Sequence, residues 1–206
     1  PGFDRMTAVA QWGQVLCFDA KGVIRSLPFL VMLLLAMANF ITNYAVGGMR
    51  FDSIPYPLTR IMMEELNSSI NAVLVLVLIF YSGELIFRER QVKIADVNDA
   101  MPVPNWVPLT AKAGALVAVI LAFLLVGALA GIAIQLIVGG APVELALYLK
   151  ATLINSAYFV LMAMAILSIQ TITNNKYLGY VLAIALMMAE TVLNGLDLNH
   201  RLASFA

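Results

Sequence analysis

The chain's chemical variety is concentrated in one stretch, Tyr81 to Lys112, which reads YSGELIFRERQVKIADVNDAMPVPNWVPLTAK. It holds four of the twelve Lys and Arg residues: Arg88, Arg90, Lys93 and Lys112. Glu84 and Arg88 stand at i, i+4, the spacing at which a helix brings opposite charges together. A structural ion pair is therefore expected there, in preference to a proton relay. Glu89 to Met101 reads as a short helix. Ile94, Val97 and Met101 fall at i, i+3 and i+7, which makes one apolar stripe, and Arg90, Lys93, Asp96 and Asn98 populate the other faces. Pro102 and Pro104 end it, because neither donates a backbone hydrogen bond and each disfavours helix in the residue before it. A segment of this kind can tether a loop to a membrane face, or it can dock into a motor subunit as a coupling helix. Charged helix faces are most often simply solvated, so chemistry alone favours the tether.

Other site chemistries are missing from the sequence. There is no HExxH run, and His200 is the only histidine, without a local ligand partner, so no metal site is expected. There is no GxxxxGK[ST] phosphate loop and no GxSxG elbow, so no catalytic residue is assigned and no cofactor is expected in this chain. Cys17 stands alone and can form neither an internal disulfide nor a cysteine metal cluster. Net charge is zero, which argues against a nucleic-acid partner.

The elements that must position these residues are membrane spans. The chain is 62% hydrophobic and only 12% charged, against roughly 25% charged in soluble domains. The expected fold is an all-α polytopic bundle with five spans, at about 27–46, 68–87, 113–138, 148–173 and 177–194, each close to the length a bilayer core requires. Residues 1–26 form an amphipathic segment, read either as an interfacial elbow helix on the inner leaflet or as a plain linker. Residues 27–206 form the transmembrane domain, with the 88–112 connection on the cytoplasmic side. Trp106 and Lys112 suit the headgroup level where the third span begins. The expected inner side carries Arg5, Lys21, Arg25, Arg88, Arg90, Lys93, Lys112 and Lys176, and the outer side Arg50, Arg60, Lys150 and Arg201. Eight cations against four fits the rule that cationic loops stay inside. The first residue is Pro1 and no stretch reads as a cleavable signal peptide, so the sequence looks like an excerpt.

Polar residues inside the spans are the other candidates. Asn39 and Asn43 share a face at i, i+4, and with Asn155 and Glu190 they could contact a substrate; Glu84 is a further polar candidate within a span. Interhelical hydrogen bonds are the commoner use of such groups. Gly127 and Gly131 form a small-xxx-small pair that permits close helix approach. Glu64 and Glu65 are adjacent and do not face each other on a helix, so they make a poor acid/base pair. Asn67-Ser68-Ser69 matches a glycosylation sequon and is read as chance.

The order Glu84, Arg88-Glu89-Arg90, a short helix, Met101-Pro102-Val103-Pro104 and Lys112 resembles the loop between the second and third spans of type-2 ABC permeases. Four further runs resemble a bacterial subgroup in which such a permease is fused to a zinc aminopeptidase of the gluzincin type. They are Tyr81-Ser82-Gly83-Glu84-Leu85, Ala100-Met101-Pro102-Val103-Pro104-Asn105-Trp106, Asn174-Asn175-Lys176-Tyr177-Leu178-Gly179, and Phe51-Asp52-Ser53-Ile54-Pro55-Tyr56-Pro57. The resemblance spans roughly Lys21 to the C-terminus. It implies a multi-pass protein of the bacterial inner membrane and a sixth span beyond Ala206. It also implies a separate ATPase subunit that binds the ATP, and a second permease half or a homodimer partner. Arg88, Glu89, Arg90, Ile94, Val97, Met101 and Pro102 would then couple to the ATPase. The alternative is a non-transporting membrane anchor for an extracytoplasmic aminopeptidase domain. An ion-coupled carrier ranks last, because Glu84 and Glu190 both lie toward span ends.

Overall fold

The computed structural model describes residues 5–50, 58–91, 104, 106–139, 142–173 and 175–195. Among these the chain is all-helical, with six helices and no strand. In chain order they are α1 (Arg5–Ile24), α2 (Leu27–Arg50), α3 (Thr59–Gln91), α4 (Trp106–Val138), α5 (Leu145–Thr173) and α6 (Lys176–Gly195). Four of them, α2 to α5, are long and apolar enough to cross a membrane. The described apolar run of α6, Lys176–Ala189, is shorter. The helix itself runs on to Gly195. Among the described residues, four helices long and apolar enough to span are thus found, against the five spans expected.

Local chemistry sets the helix ends. Ser26 caps α2: its Oγ accepts from the Phe29 amide at 3.4 Å and donates to the Val23 carbonyl at 2.7 Å. Pro28 then sits in the first turn, where a missing N–H costs nothing. Pro108 occupies the same kind of position in α4, whose first bond is Val107 N–H to the Pro104 carbonyl at 3.0 Å. Asn175 caps α6, its Oδ1 accepting from the Tyr177 amide at 3.0 Å. α4 ends at Gly139, whose φ of 72° is the left-handed conformation that closes a helix, with its amide on the Gln135 carbonyl at 3.0 Å.

Two helices run further than the hydropathy pattern indicates. The amphipathic turn before the second span and the span itself are one helix of 33 residues, Thr59–Gln91. Trp106 to Lys112 likewise belongs to α4. The inner connection thus shrinks from 88–112 to 92–105, and Glu89 continues α3 instead of opening a separate helix. The residues of the expected coupling helix beyond Gln91, and the Phe51–Pro57 run, lie outside the described residues.

α3 is the central helix, packed against α2, α4, α5 and α6. Its Ile70, Leu74, Val77 and Leu78 are fully buried. Phe29 of α2 stacks edge-on against Tyr81 of α3 and Phe123 of α4, at 6.3 and 5.9 Å between centroids. The expected glycine pair works, but for two different neighbours. A methyl on Gly127 would lie 2.5 Å from Ile70 of α3, and one on Gly131 would lie 3.3 Å from Tyr148 of α5. α1 departs from a free interfacial helix. Leu16 and Trp12 pack against Gly114 of α4, and Val23 is buried, so most of its apolar face is spent on protein. Val9 and Phe18 stand well clear.

Gly127→Val should cost about 1–3 kcal/mol of unfolding free energy, the range for overpacking a filled contact. Ile70→Ala in the same chain should return part of that cost, whereas Gly131→Ala should cost less than either single change. Thermal unfolding of the purified protein in detergent measures all of these, and a double variant with no recovery would mean that the two side chains do not share the contact.

Candidate functional site

The C-terminal end of α3 is where the sequence concentrates its charge, and the structure brings three helices together there. Glu84 does not pair with Arg88. Its Oε2 accepts a hydrogen bond from Lys176 Nζ at 2.7 Å, across 92 residues of sequence, and both side chains are partly buried. Helix direction explains the correction. The last turns of α3 face α6 on one side and α1 on another, so a tertiary partner on each face displaces the local one. Arg88 turns instead to α1, with its guanidinium 3.9 Å from the Asp19 carboxylate and 5.4 Å from the centre of the Phe18 ring. Asp19 is itself buried, which is tolerable for a carboxylate only with partners.

Two of the sequence runs meet at the ion pair. Gly83 precedes Glu84, and a methyl there would lie 2.4 Å from the Tyr180 ring. That opening lets Tyr180 of α6 lie flat on α3 and donate its hydroxyl to the Phe80 carbonyl at 3.2 Å. Lys176 Nζ sits 6.0 Å from the same ring. Gly179 gives α5 equivalent room, since a methyl would fall 2.1 Å from Gln170 Oε1. Gln170 is fully buried, and neither of its amide atoms makes a hydrogen bond. On the α2 side, Tyr81 meets the Ser26 hydroxyl through its own. The run Tyr81-Ser82-Gly83-Glu84 therefore ties α3 to α2 through Tyr81 and to α6 through Gly83 and Glu84, while Ser82 bonds back to the Ile79 carbonyl. Lys112, at the base of α4, is buried. Glu89 and Arg90 lie in the last turn of α3, but their side chains are outside the described set, as are Ile94, Val97, Met101 and Pro102.

The intramembrane amides are engaged between helices. Asn39 donates to the Ser69 carbonyl at 3.3 Å and Asn43 to Ser69 Oγ at 3.0 Å, tying α2 to α3. Asn155 of α5 donates to Asn67 Oδ1 at 3.0 Å. That bond occupies the sequon's asparagine within the bundle. Glu190 belongs to α6, with its side chain outside the described set. At the outer end Gln135 gathers a buried network. Its amide donates to Thr59 Oγ1 at 3.1 Å and to the Pro142 carbonyl at 3.3 Å, and accepts from Tyr148 at 3.1 Å. Nothing local in the sequence signals Gln135's partners on α3 and α5.

No group of three or more His, Cys, Asp or Glu is placed to hold a metal among the described residues. Comparison with family models, with curated proteins and with solved structures finds no match to this chain.

Lys176→Met and Glu84→Gln should each destabilise the protein. The double variant should be no worse than the poorer single one, giving a coupling energy of about 1–2 kcal/mol after allowance for partial solvent exposure. Arg88→Ala should show much weaker coupling to Glu84→Gln. A double-mutant cycle on thermal unfolding reads both.

Proposed function

We propose that this chain is a permease segment of an ABC-type exporter in a bacterial cell membrane, driven by a separate ATPase at its cytoplasmic face. One observation carries the reading. The end of α3 is fastened to α1 through Arg88 and to α6 through Glu84, and it continues as unbroken helix to Gln91, where the 92–105 connection begins. A load applied to that connection would meet a rigid lever whose base is tied to two other helices. This is the arrangement that coupling requires, and a passive tether has no need of it.

Charge supports the orientation. The end bearing Lys21, Arg25, Arg88, Lys112 and Lys176 is the one expected to stay in the cytoplasm. The motifs add their weight, because the runs at 81–85 and 174–179 that resemble the permease–peptidase subgroup pack against each other at one site. In this reading ATP stays on the partner subunit, and closure of that subunit moves the segment around Ile94, Val97 and Met101. The movement passes through Pro102 into α4 and through Arg88, Glu89 and Arg90 into α3. α6 serves as a fifth span, and a second permease half, or a second copy, completes the pore.

Val97→Asp places a charge on the apolar stripe meant for the motor. It should weaken co-purification of the ATPase subunit by about tenfold or more, equivalent to ~1.4 kcal/mol, while leaving membrane insertion intact. Undiminished ATPase association would remove the coupling role. Absence of any ATPase from the wild-type complex would favour the anchor.

A further inference from the structure

The outer third of the bundle has one face unlike the rest. Elsewhere most exposed side chains at membrane depth are apolar, such as Leu121, Leu125 and Leu129 on α4 and Leu30, Leu34 and Leu35 on α2, and the exposed Ser168 of α5 bonds back to its own helix. On α3 the pattern reverses. At 100° per residue, Asn67, Asn71, Ser68 and Ala72 fan across about 140° of the helix, from the α5 seam toward the α2 seam. Ser68 and Ala72 are exposed and the two asparagines half-buried. The seams themselves are polar: Asn155 bonds to Asn67 on one side, and the exposed Asn39 and Asn43 bond to Ser69 on the other. Asn71 Oδ1 is itself buried and makes no hydrogen bond. The strip ends inward at Leu76, which is 56% exposed.

Amides and hydroxyls left open to acyl chains are costly, and in spans they normally face the bundle interior or a water-filled cavity. This strip does not face the interior, since α3 buries a different side against α4 through Leu66 and Ile70. Asn39 lies seven residues below Val46, the end of the α2 span, so the strip reaches about 10 Å into the span at 1.5 Å per residue. We infer that α2, α3 and α5 wall an aqueous vestibule open to the outer side, which admits uncharged solutes rich in hydroxyl or amide groups. The solute class follows from the lining. Among the described residues the charges nearby are Arg60, Glu64, Glu65, Glu144 and Lys150, all nearer that outer end of the bundle, and Arg60 and Glu64 pair with each other at 3.0 Å. Below them only neutral donors and acceptors remain. The inference rests on the membrane-spanning reading and its orientation, and it does not require an ATPase.

The test is thiol accessibility in the full-length protein in intact membranes, with Cys17 and any other native cysteine replaced by Ser. Ser68→Cys and Ala72→Cys are near-isosteric changes that remove none of the hydrogen bonds described above. Membrane-impermeant methanethiosulfonates added from the outer side should modify both at least about tenfold faster than Leu125→Cys or Leu129→Cys on the lipid-facing side of α4. Cationic and anionic reagents should react within about threefold of each other, because the lining is neutral. Rates as low as those of the α4 controls would overturn the vestibule. An oxidative cross-link between two Ala72→Cys copies in place of labelling would assign the face to a second copy and overturn it equally. Labelling only from the cytoplasmic side would refute the orientation and the vestibule together. A strong preference for one charge would refute the neutral solute class. Loss of ATPase association would leave all these rates unchanged, so failure of the exporter reading is separately visible.

Discussion

A polar group carried into lipid must be answered from within the protein, and α3 is built around that requirement. It carries polar side chains at three depths, and most of them are met by a different neighbour. Ser69 is met by α2, Asn67 by α5 and Glu84 by α6, while Ser82 folds back onto its own backbone. Between these levels the contacts are apolar and fully buried, as at Leu74 and Leu78. The apolar contacts provide cohesion without specifying a partner, because lipid tails are as apolar as the helices. The polar contacts specify which helix lies where. Without them α3 would remain a membrane-length helix but would lose the reasons for its particular neighbours.

Glycine does complementary work. Gly83, Gly127, Gly131 and Gly179 each remove a methyl where another helix brings a large side chain, respectively Tyr180, Ile70, Tyr148 and Gln170. Two of these openings admit tyrosines whose hydroxyls bond to the Phe80 carbonyl and to Gln135, and a third admits the apolar Ile70. The fourth is costlier. Gln170 reaches the Gly179 backbone and finds no hydrogen-bond partner for either amide atom. Leaving such a group unanswered costs on the order of 1–3 kcal/mol, against which the neighbouring ion pair and the Tyr180 bond provide an offset.

The sequence shows the spans because hydropathy is a local sum. The caps are as local, since Ser26, Pro28, Asn175 and Gly139 act within three or four residues of themselves. The same locality misdirects the reading of charge pairs. The i, i+4 rule proposes Arg88 for Glu84 because it considers one helix at a time, whereas the actual partner arrives from 92 residues away. Asp19 gives no local sign of its link to Arg88, and Gln135 none of its links to Thr59 and Tyr148. The amphipathic pattern of α1 was legible as a pattern. What its apolar face would meet was not, since α4 and the inner leaflet present similar surfaces to Leu16 and Trp12. The glycine pair was legible as a place of close approach but not as two separate contacts.

The inner fastening and the outer polar strip share one rigid element. From Gln91 to Ser68 α3 is continuous helix with no proline, and its glycine at position 83 is filled by a tyrosine instead of marking a kink. Some 23 residues at 1.5 Å each place about 35 Å between the two ends. A helix of that length turns a small displacement at its base into tilt at the far end, provided something near the base acts as a pivot. The Glu84–Lys176 pair and the Tyr180–Phe80 bond supply a fixed point about two to three turns from Gln91. Toward the other end, amide bonds such as Asn155–Asn67 and Asn43–Ser69 lie in the seams of α3 with α5 and α2. Under the proposed exporter reading, a stiff helix with a charged pivot at one end and exchangeable amide contacts at the other would carry motion of the connection to the polar strip.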